Sequence, residues 1–318
     1  MELLYILTDA LETGLIWSVL AIGVFISFRM LDFADLTVEG SIVLGTSITA
    51  SVMLNNNIGF LNNYIFAIIF AVIGGALAGI TTGLLNVKFK IPSILAGIIS
   101  MTALYSINLM IMKGASLYIG DLPTIFNPLE MFFSNVLKIE NIATVKFLTK
   151  FITTLLINGI IFLCLYWFFG TEFGMALRAS GNNIQMAKAQ GINTDKMIIV
   201  GLAISNGLIA LTGALYVQSF RSSNMDIGRG TIVVGLASII LGEILFGKTT
   251  FKRWLIAVIL GSIVFQLIIG IAIYLGFSAN NLKLLQAILI AVVLANPVIK
   301  TWYKNSIKKR GEVNAWDK

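Results

Sequence analysis

Histidine is absent from this 318-residue chain, and Cys164 is its only cysteine. No disulfide within the chain, no Cys/His metal site and no histidine acid–base chemistry can be built from such a set. Charge is scarce too: Asp, Glu, Lys and Arg make up 12% of the residues, where an ordinary soluble domain carries roughly a quarter. The first fourteen residues hold Glu2, Asp9 and Glu12 and no Lys or Arg. They therefore lack the positive flank of a cleavable signal peptide, and the first apolar segment reads as a retained span.

What fills the chain is apolar: 58% hydrophobic residues and a mean hydropathy of +0.93. Residues 64–85 and 254–275 run without a charge, and about twenty residues of helix cross a hydrocarbon core of about 30 Å. In lipid a helix satisfies its own backbone. The pattern predicts an all-α, polytopic membrane bundle. Nine spans are expected, near 4–28, 36–54, 64–85, 91–112, 148–169, 197–217, 231–246, 254–275 and 282–301. They form one transmembrane domain over 1–318, with a cytoplasmic loop at 171–196 and a cytoplasmic tail at 303–318.

The net charge of +7 reports orientation in such a chain, since Lys and Arg collect in cytoplasmic loops. With the N-terminus outside, fifteen of the 22 basic residues fall inside, among them Arg29, Lys88, Lys90, Arg178, Lys188, Lys196, Lys248, Lys252 and Arg253. The expected topology is N-terminus out, C-terminus in. No stacking platform for bases accompanies the charge, so nucleic acid is not an expected partner.

Spans two and seven are the least regular. Asp35, Glu39 and Gly40 open one; Asp226, Gly228, Arg229 and Gly230 open the other. Both suit half-helices or re-entrant segments. Their sequences echo each other while running in opposite directions, which is either an inverted repeat of the transporter kind or a chance likeness of short Gly-rich runs.

Residues 242–249, GEILFGKT, fit the phosphate-loop pattern G-x-x-x-x-G-K-[ST]. That loop must follow a strand and wrap phosphate with free backbone N–H groups, whereas Glu-Ile-Leu-Phe here closes a span. The match reads as coincidence: a helix ending at Gly247, followed by Lys248, Lys252 and Arg253 as an anchor.

Residues 171–196 are too polar to span and fall inside. Ile184, Ala187 and Gly191 recur at helical spacing beside Met186 and Ala189, giving an apolar face that could dock a partner or rest on the lipid surface. Gly174-Met-Ala-Leu-Arg-Ala-Ser-Gly-Asn182, followed by Ala187 and Gly191, resembles the coupling-helix loop of ABC importer permeases of the branched-chain amino acid and ribose permease superfamily. Leu31 to Ser41 and Gly235 to Gly247 are similar to its tryptophan/tyrosine-type branch. The resemblance implies a bacterial plasma-membrane permease that acts as a homodimer. Its partners would be two cytoplasmic ATPase subunits and an extracytoplasmic solute-binding protein. ATP and magnesium would bind the ATPases, with no cofactor in this chain. It also implies that Gly174, Met175, Leu177, Arg178, Ala179, Gly181, Asn182, Ala187 and Gly191 face the ATPase, and it favours an aromatic amino acid as solute.

Small and polar positions mark a candidate translocation path: Glu39 on the second span, Ser93, Gly97, Ser100 and Asn108 on the fourth, and Asn206 on the sixth. Close helix packing in lipid uses the same residue types, as Gly75-x-x-x-Gly79 illustrates. Asp35, Glu39 and Glu243 are expected near the cytoplasmic end, either paired with Arg29 or Lys248 or serving gating. Residues 113–140, with Tyr118, Phe126, Phe132 and Phe133, form an outer cap or a landing surface for a binding protein. The expected function is a non-enzymatic permease subunit. An ion-coupled secondary transporter would need charge near the bilayer midplane, where none is expected. A membrane-embedded enzyme would need converging carboxylates, for which Asp32, Asp35 and Glu39 are the only candidates.

Overall fold

A computed structural model describes residues 2–55, 63–135, 141–277, 284–289, 291–292 and 295. Helix α1 (Glu2–Phe25) runs into a π-helical turn (Ile26–Met30) and is followed by α2 (Val38–Leu54), α3 (Tyr64–Val87) and α4 (Ser93–Met112). A short strand β1 (Ser116–Tyr118) and α5 (Asn127–Asn135) lead to α6 (Ile142–Gly170). Two short helices, α7 (Glu172–Asn182) and α8 (Ile184–Ala189), precede α9 (Thr194–Phe220). Strand β2 (Ser222–Asn224), a 3-10 turn (Met225–Gly228), α10 (Thr231–Phe246) and α11 (Phe251–Tyr274) complete the described elements.

Among the described residues seven segments are long and apolar enough to cross a bilayer, and α2 is a shorter apolar helix. They correspond to the first eight expected spans. The ninth, 282–301, lies largely outside the described residues. The chain is an all-α polytopic membrane protein.

Lipid tails are as apolar as leucine, so helices associate by close packing rather than by hydrophobic expulsion, and small residues set the contacts. Gly75 and Gly79 of α3 lie against the α9 backbone: a Cβ on them would stand 2.4 and 2.1 Å from the carbonyl oxygens of Asn206 and Leu202. Gly45 of α2 and Gly213 of α9 meet in the same way, 2.1 Å from Ala210 O and 2.2 Å from Ile42 O. Helices α1, α2 and α9 form the interior, while α3, α4 and α6 turn large apolar faces outward.

The helix ends sort onto two sides. Arg29 meets Glu243 at 2.7 Å, and Gly181 of α7 abuts the backbone of Met30 and Leu31, so α7 and α8 sit at the ends of α1 and α10. At the opposite end Lys150 approaches Glu12 at 3.5 Å and covers the Phe220 ring at 5.9 Å. There β1 and β2 pair antiparallel, Ser116 opposite Asn224.

Two stretches of irregular backbone enter the bundle, tolerated because protein surrounds them. Residues 31–37 fold back beneath α2, with Phe33 N–H donating to Ser27 O at 2.9 Å and Thr37 N–H donating to Asp35 Oδ1 at 2.9 Å. Residues 222–230 descend alongside α2 from the hairpin end. The Ser223 hydroxyl donates to Thr46 Oγ1 at 2.8 Å, and further down Gly230 N–H donates to Glu39 Oε1 at 2.9 Å. From there α2 and α10 leave in opposite directions, toward the hairpin and toward Arg29. The irregular openings expected for spans two and seven are thus both interior.

This placement corrects one expectation. Glu39 sits beside Gly230, and Glu243 lies thirteen residues along α10 beside Arg29. At 1.5 Å per residue the two carboxylates are separated by about 20 Å along that helix, so Glu39 is not at the end that holds Glu243. Asp35 is fully buried and is bonded to Thr37 and Asn206, not to Arg29 or Lys248.

Candidate functional site

The interior around the start of α2 is a polar seam. Asn206 Nδ2 donates to Asp35 Oδ2 at 2.7 Å, while the Ser41 hydroxyl donates to Asn206 Oδ1 at 2.6 Å. Thr82 Oγ1 lies 2.8 Å from Thr37 Oγ1 and donates to Ser100 Oγ at 2.7 Å. These bonds fix residues 35–41 between α3, α4 and α9. Buried polar groups with partners hold one arrangement, and losing a partner would leave a costly orphan.

The six path candidates divide. Asn206 and Ser100 are spent on this seam, and Gly97 is packed under Leu36, whose backbone nitrogen would stand 2.6 Å from an added Cβ. Ser93 is half-buried at the first turn of α4. Glu39 and Asn108 line a pocket of about 300 Å³ between α2, α4 and the 3-10 turn. Met101, Tyr105, Met225 and Arg229 share that lining. The sequence reading does not single out Tyr105, and it names Arg229 only as part of the opening of span seven. The cue available was the Asp226-to-Gly230 cluster opening span seven. The interior position of Asp35 and Glu39 also places ionisable groups where none was expected.

At the α7–α8 end, three side-chain caps divide residues 171–196 into separate helices. Thr171 Oγ1 accepts from Gly174 N–H at 3.3 Å, Asn183 Oδ1 from Met186 N–H at 3.0 Å, and Asn193 Oδ1 from Lys196 N–H at 3.0 Å. Each cap satisfies an N–H that a helix start leaves orphaned.

Of the nine coupling candidates, Gly174, Leu177 and Ala187 are buried, Ala179 and Gly181 are half-buried, and Met175, Arg178, Asn182 and Gly191 are exposed. The single apolar face expected around Ile184, Ala187 and Gly191 is corrected. Helix α8 is only six residues long and turns Ala187 inward at 1% exposure, while Ile184 and Met186 point out at 47% and 57%. Ala187 is therefore an anchor to the bundle, and Met175, Ile184 and Met186 are apolar groups presented outward.

Met175, Arg178, Asn182 and Met186 border a groove of about 660 Å³ closed on its other side by Phe28, Arg29, Asp32 and Trp254. The groove wall is braced: Glu243 accepts from Arg29 at 2.7 Å and from Trp254 Nε1 at 3.0 Å. Arg178 lies over the Phe251 ring at 4.8 Å, a cation–π contact that aims its guanidinium. The GEILFGKT run lies in α10 and its end. Gly242 packs against α11, with Ala257 O 2.0 Å from an added Cβ, and Gly247 terminates the helix at φ +77°. Helical hydrogen bonding occupies the backbone that a phosphate cradle would need.

Residues 6–294 match the family described as the branched-chain amino acid transport system permease component. The tyrosine transport system permease protein of Clostridioides difficile (strain R20291) is 38% identical over 287 residues, 90% of each chain. The uncharacterized protein RP368 of Rickettsia prowazekii (strain Madrid E) is 30% identical over 295 residues, 92% of this chain and 97% of its own. At 25% identity over 245 residues stands the autoinducer 2 import system permease protein LsrC of Yersinia pseudotuberculosis (serotype O:3, strain YPIII), covering 76% of this chain and 62% of that one. No solved structure matches. With the family match spanning nearly the whole chain and seven apolar spans around a polar interior, this protein belongs to the branched-chain amino acid transport system permease family, as a multi-pass permease for a small solute in a bacterial membrane.

Proposed function

We propose that the chain is the permease subunit of an ATP-driven amino acid importer, with an aromatic amino acid as the favoured solute. Two copies would form the path, two ATPase subunits would bind the α7–α8 side, and a solute-binding protein would deliver to the hairpin side. In this reading the N-terminus is outside, the α7–α8 side is cytoplasmic, and ATP and magnesium belong to the partner subunits. The single observation that carries it is the groove under α7 and α8: exposed methionines beside an aimed arginine, on helices that pack against α9 and, through Gly181, against the turn that ends α1. Met is adaptable at docking surfaces, and a helix seated on Met30 would pass a push from an ATPase to the start of α2. The relation to a tyrosine transport permease supports the solute class.

The test is co-purification of the ATPase subunit with wild type, with Met175→Glu plus Met186→Glu, and with Arg178→Glu. The exposed double variant is expected to fold, lose the ATPase and lose uptake. Retention of both would remove α7–α8 as the seat. The buried Asp35 and the interior Glu39 also suit ion-coupled transport, and uptake by wild type without any ATPase would replace the importer reading with that one.

A further inference from the structure

The pocket between α2, α4 and the 3-10 turn brings opposite charges to one small cavity. Glu39 uses Oε1 to accept from Gly230 N–H; among the described residues Glu39 has no ion-pair partner and Oε2 has no hydrogen bond. An unpaired carboxylate in a membrane bundle is costly and calls for a cationic partner. Asn108 is fully buried and donates through Nδ2 to Gly40 O at 3.2 Å, while its Oδ1 has no partner. The cavity is thus bordered by a carboxylate oxygen of Glu39 without a partner and by Asn108, whose Oδ1 lies buried just behind the lining and is also without one.

Across the same lining stands Arg229. Its partner is Asp226 at 3.0 Å, an i,i+3 neighbour, and both side chains are about two-thirds exposed. An exposed pair of this kind is weak, so another carboxylate can take the guanidinium at little cost. Met101, Tyr105, Val43 and Met225 provide the apolar wall. The volume of about 300 Å³ is at the lower end of small-molecule sites.

We propose that this pocket is the transit site for a zwitterionic α-amino acid, with Glu39 and Asn108 receiving the ammonium group, Arg229 the carboxylate, and Met101, Tyr105 and Met225 an apolar or aromatic side chain. The proposal rests on the importer reading and gives it a position in the membrane. Solute would pass between the half-helix starts, where movement of residues 35–41 changes the cavity.

The test separates the two readings. ATP-driven uptake of L-tyrosine by the whole complex in proteoliposomes examines the importer. For the pocket, Ser106, an exposed residue of the same lining, is replaced as Ser106→Cys in a Cys164→Ser background and labelled with a membrane-permeant maleimide, with and without L-tyrosine and without binding protein. L-Tyrosine is expected to slow labelling about tenfold. Tyramine and 3-(4-hydroxyphenyl)propionate, each missing one charge, are expected to protect far less. Glu39→Gln, which retains an acceptor for Gly230 N–H, and Arg229→Gln, on an exposed side chain, should each abolish protection by L-tyrosine. Uptake without protection, or equal protection by all three compounds, would overturn the pocket alone. Absence of both uptake and protection would overturn the pocket together with the amino acid reading.

Discussion

Helices α6 and α9 are of nearly equal length, 29 and 27 residues, and their most apolar windows are equally apolar, yet 61% of that window in α9 is buried against 28% in α6. Apolarity alone does not say which helix faces lipid, because the membrane is itself apolar. Residue size does. Helix α9 carries Gly201, Gly207, Gly213 and several alanines, and neighbouring backbones come within van der Waals reach of it. Helix α6 exposes Leu156, Ile160, Leu163 and Trp167 and keeps one polar stripe inward, where the Ser18 hydroxyl donates to Asn158 Oδ1 at 2.6 Å and Asn158 Nδ2 donates to Leu15 O at 2.8 Å.

Glycine-to-alanine substitutions should break this comparison most sharply. Gly45→Ala in α2 forces a methyl against the α9 backbone at Ala210 and is expected to remove most folded protein, read as the monodisperse fraction in detergent. Gly159→Ala in α6 meets nothing within 4 Å and should leave yield and melting unchanged or slightly improved. Equal losses at both sites would mean that α9 is not the close-packed helix. Next in size is Asn206→Leu, which strips Asp35 of a side-chain partner and Ser41 of its acceptor. A cost of about 3 kcal/mol is expected for a charge or acid left unsatisfied in the interior, measured as lost thermal stability. The smallest effect should come from Arg29→Gln. The Arg29–Glu243 pair is 39% and 11% exposed on its two sides and Glu243 keeps Trp254 Nε1, so about 1 kcal/mol or less is expected. A larger fall in ATPase binding than in melting temperature for Arg29→Gln would locate the role of that pair in the groove.

Much of the architecture was legible in the chain itself. Charge-free runs of about twenty residues mark a span because lipid leaves backbone no other partner. Gly75-x-x-x-Gly79 read correctly as packing, and Gly247 as a helix end. The depth of Glu39 was not legible, since a carboxylate close in sequence to Arg29 looks interfacial until the chain is seen to fold back through residues 31–37. Ala187 misled for a related reason: a six-residue helix has no sustained face, and its orientation comes from the caps at Asn183 and Asn193.

The sequence by itself determined that this protein lives in a membrane, spans it with helices and carries a polar insertion between α6 and α9, because composition and run length act locally along the chain. Only the tertiary structure decided that α2 and α10 begin at one interior point, that Asp35 is held by Asn206, and that Glu39, Asn108 and Arg229 share a cavity. Those relations join residues far apart in the chain, from Glu39 and Asn108 to Glu39 and Gly230, and helical periodicity carries no record of which faces will meet.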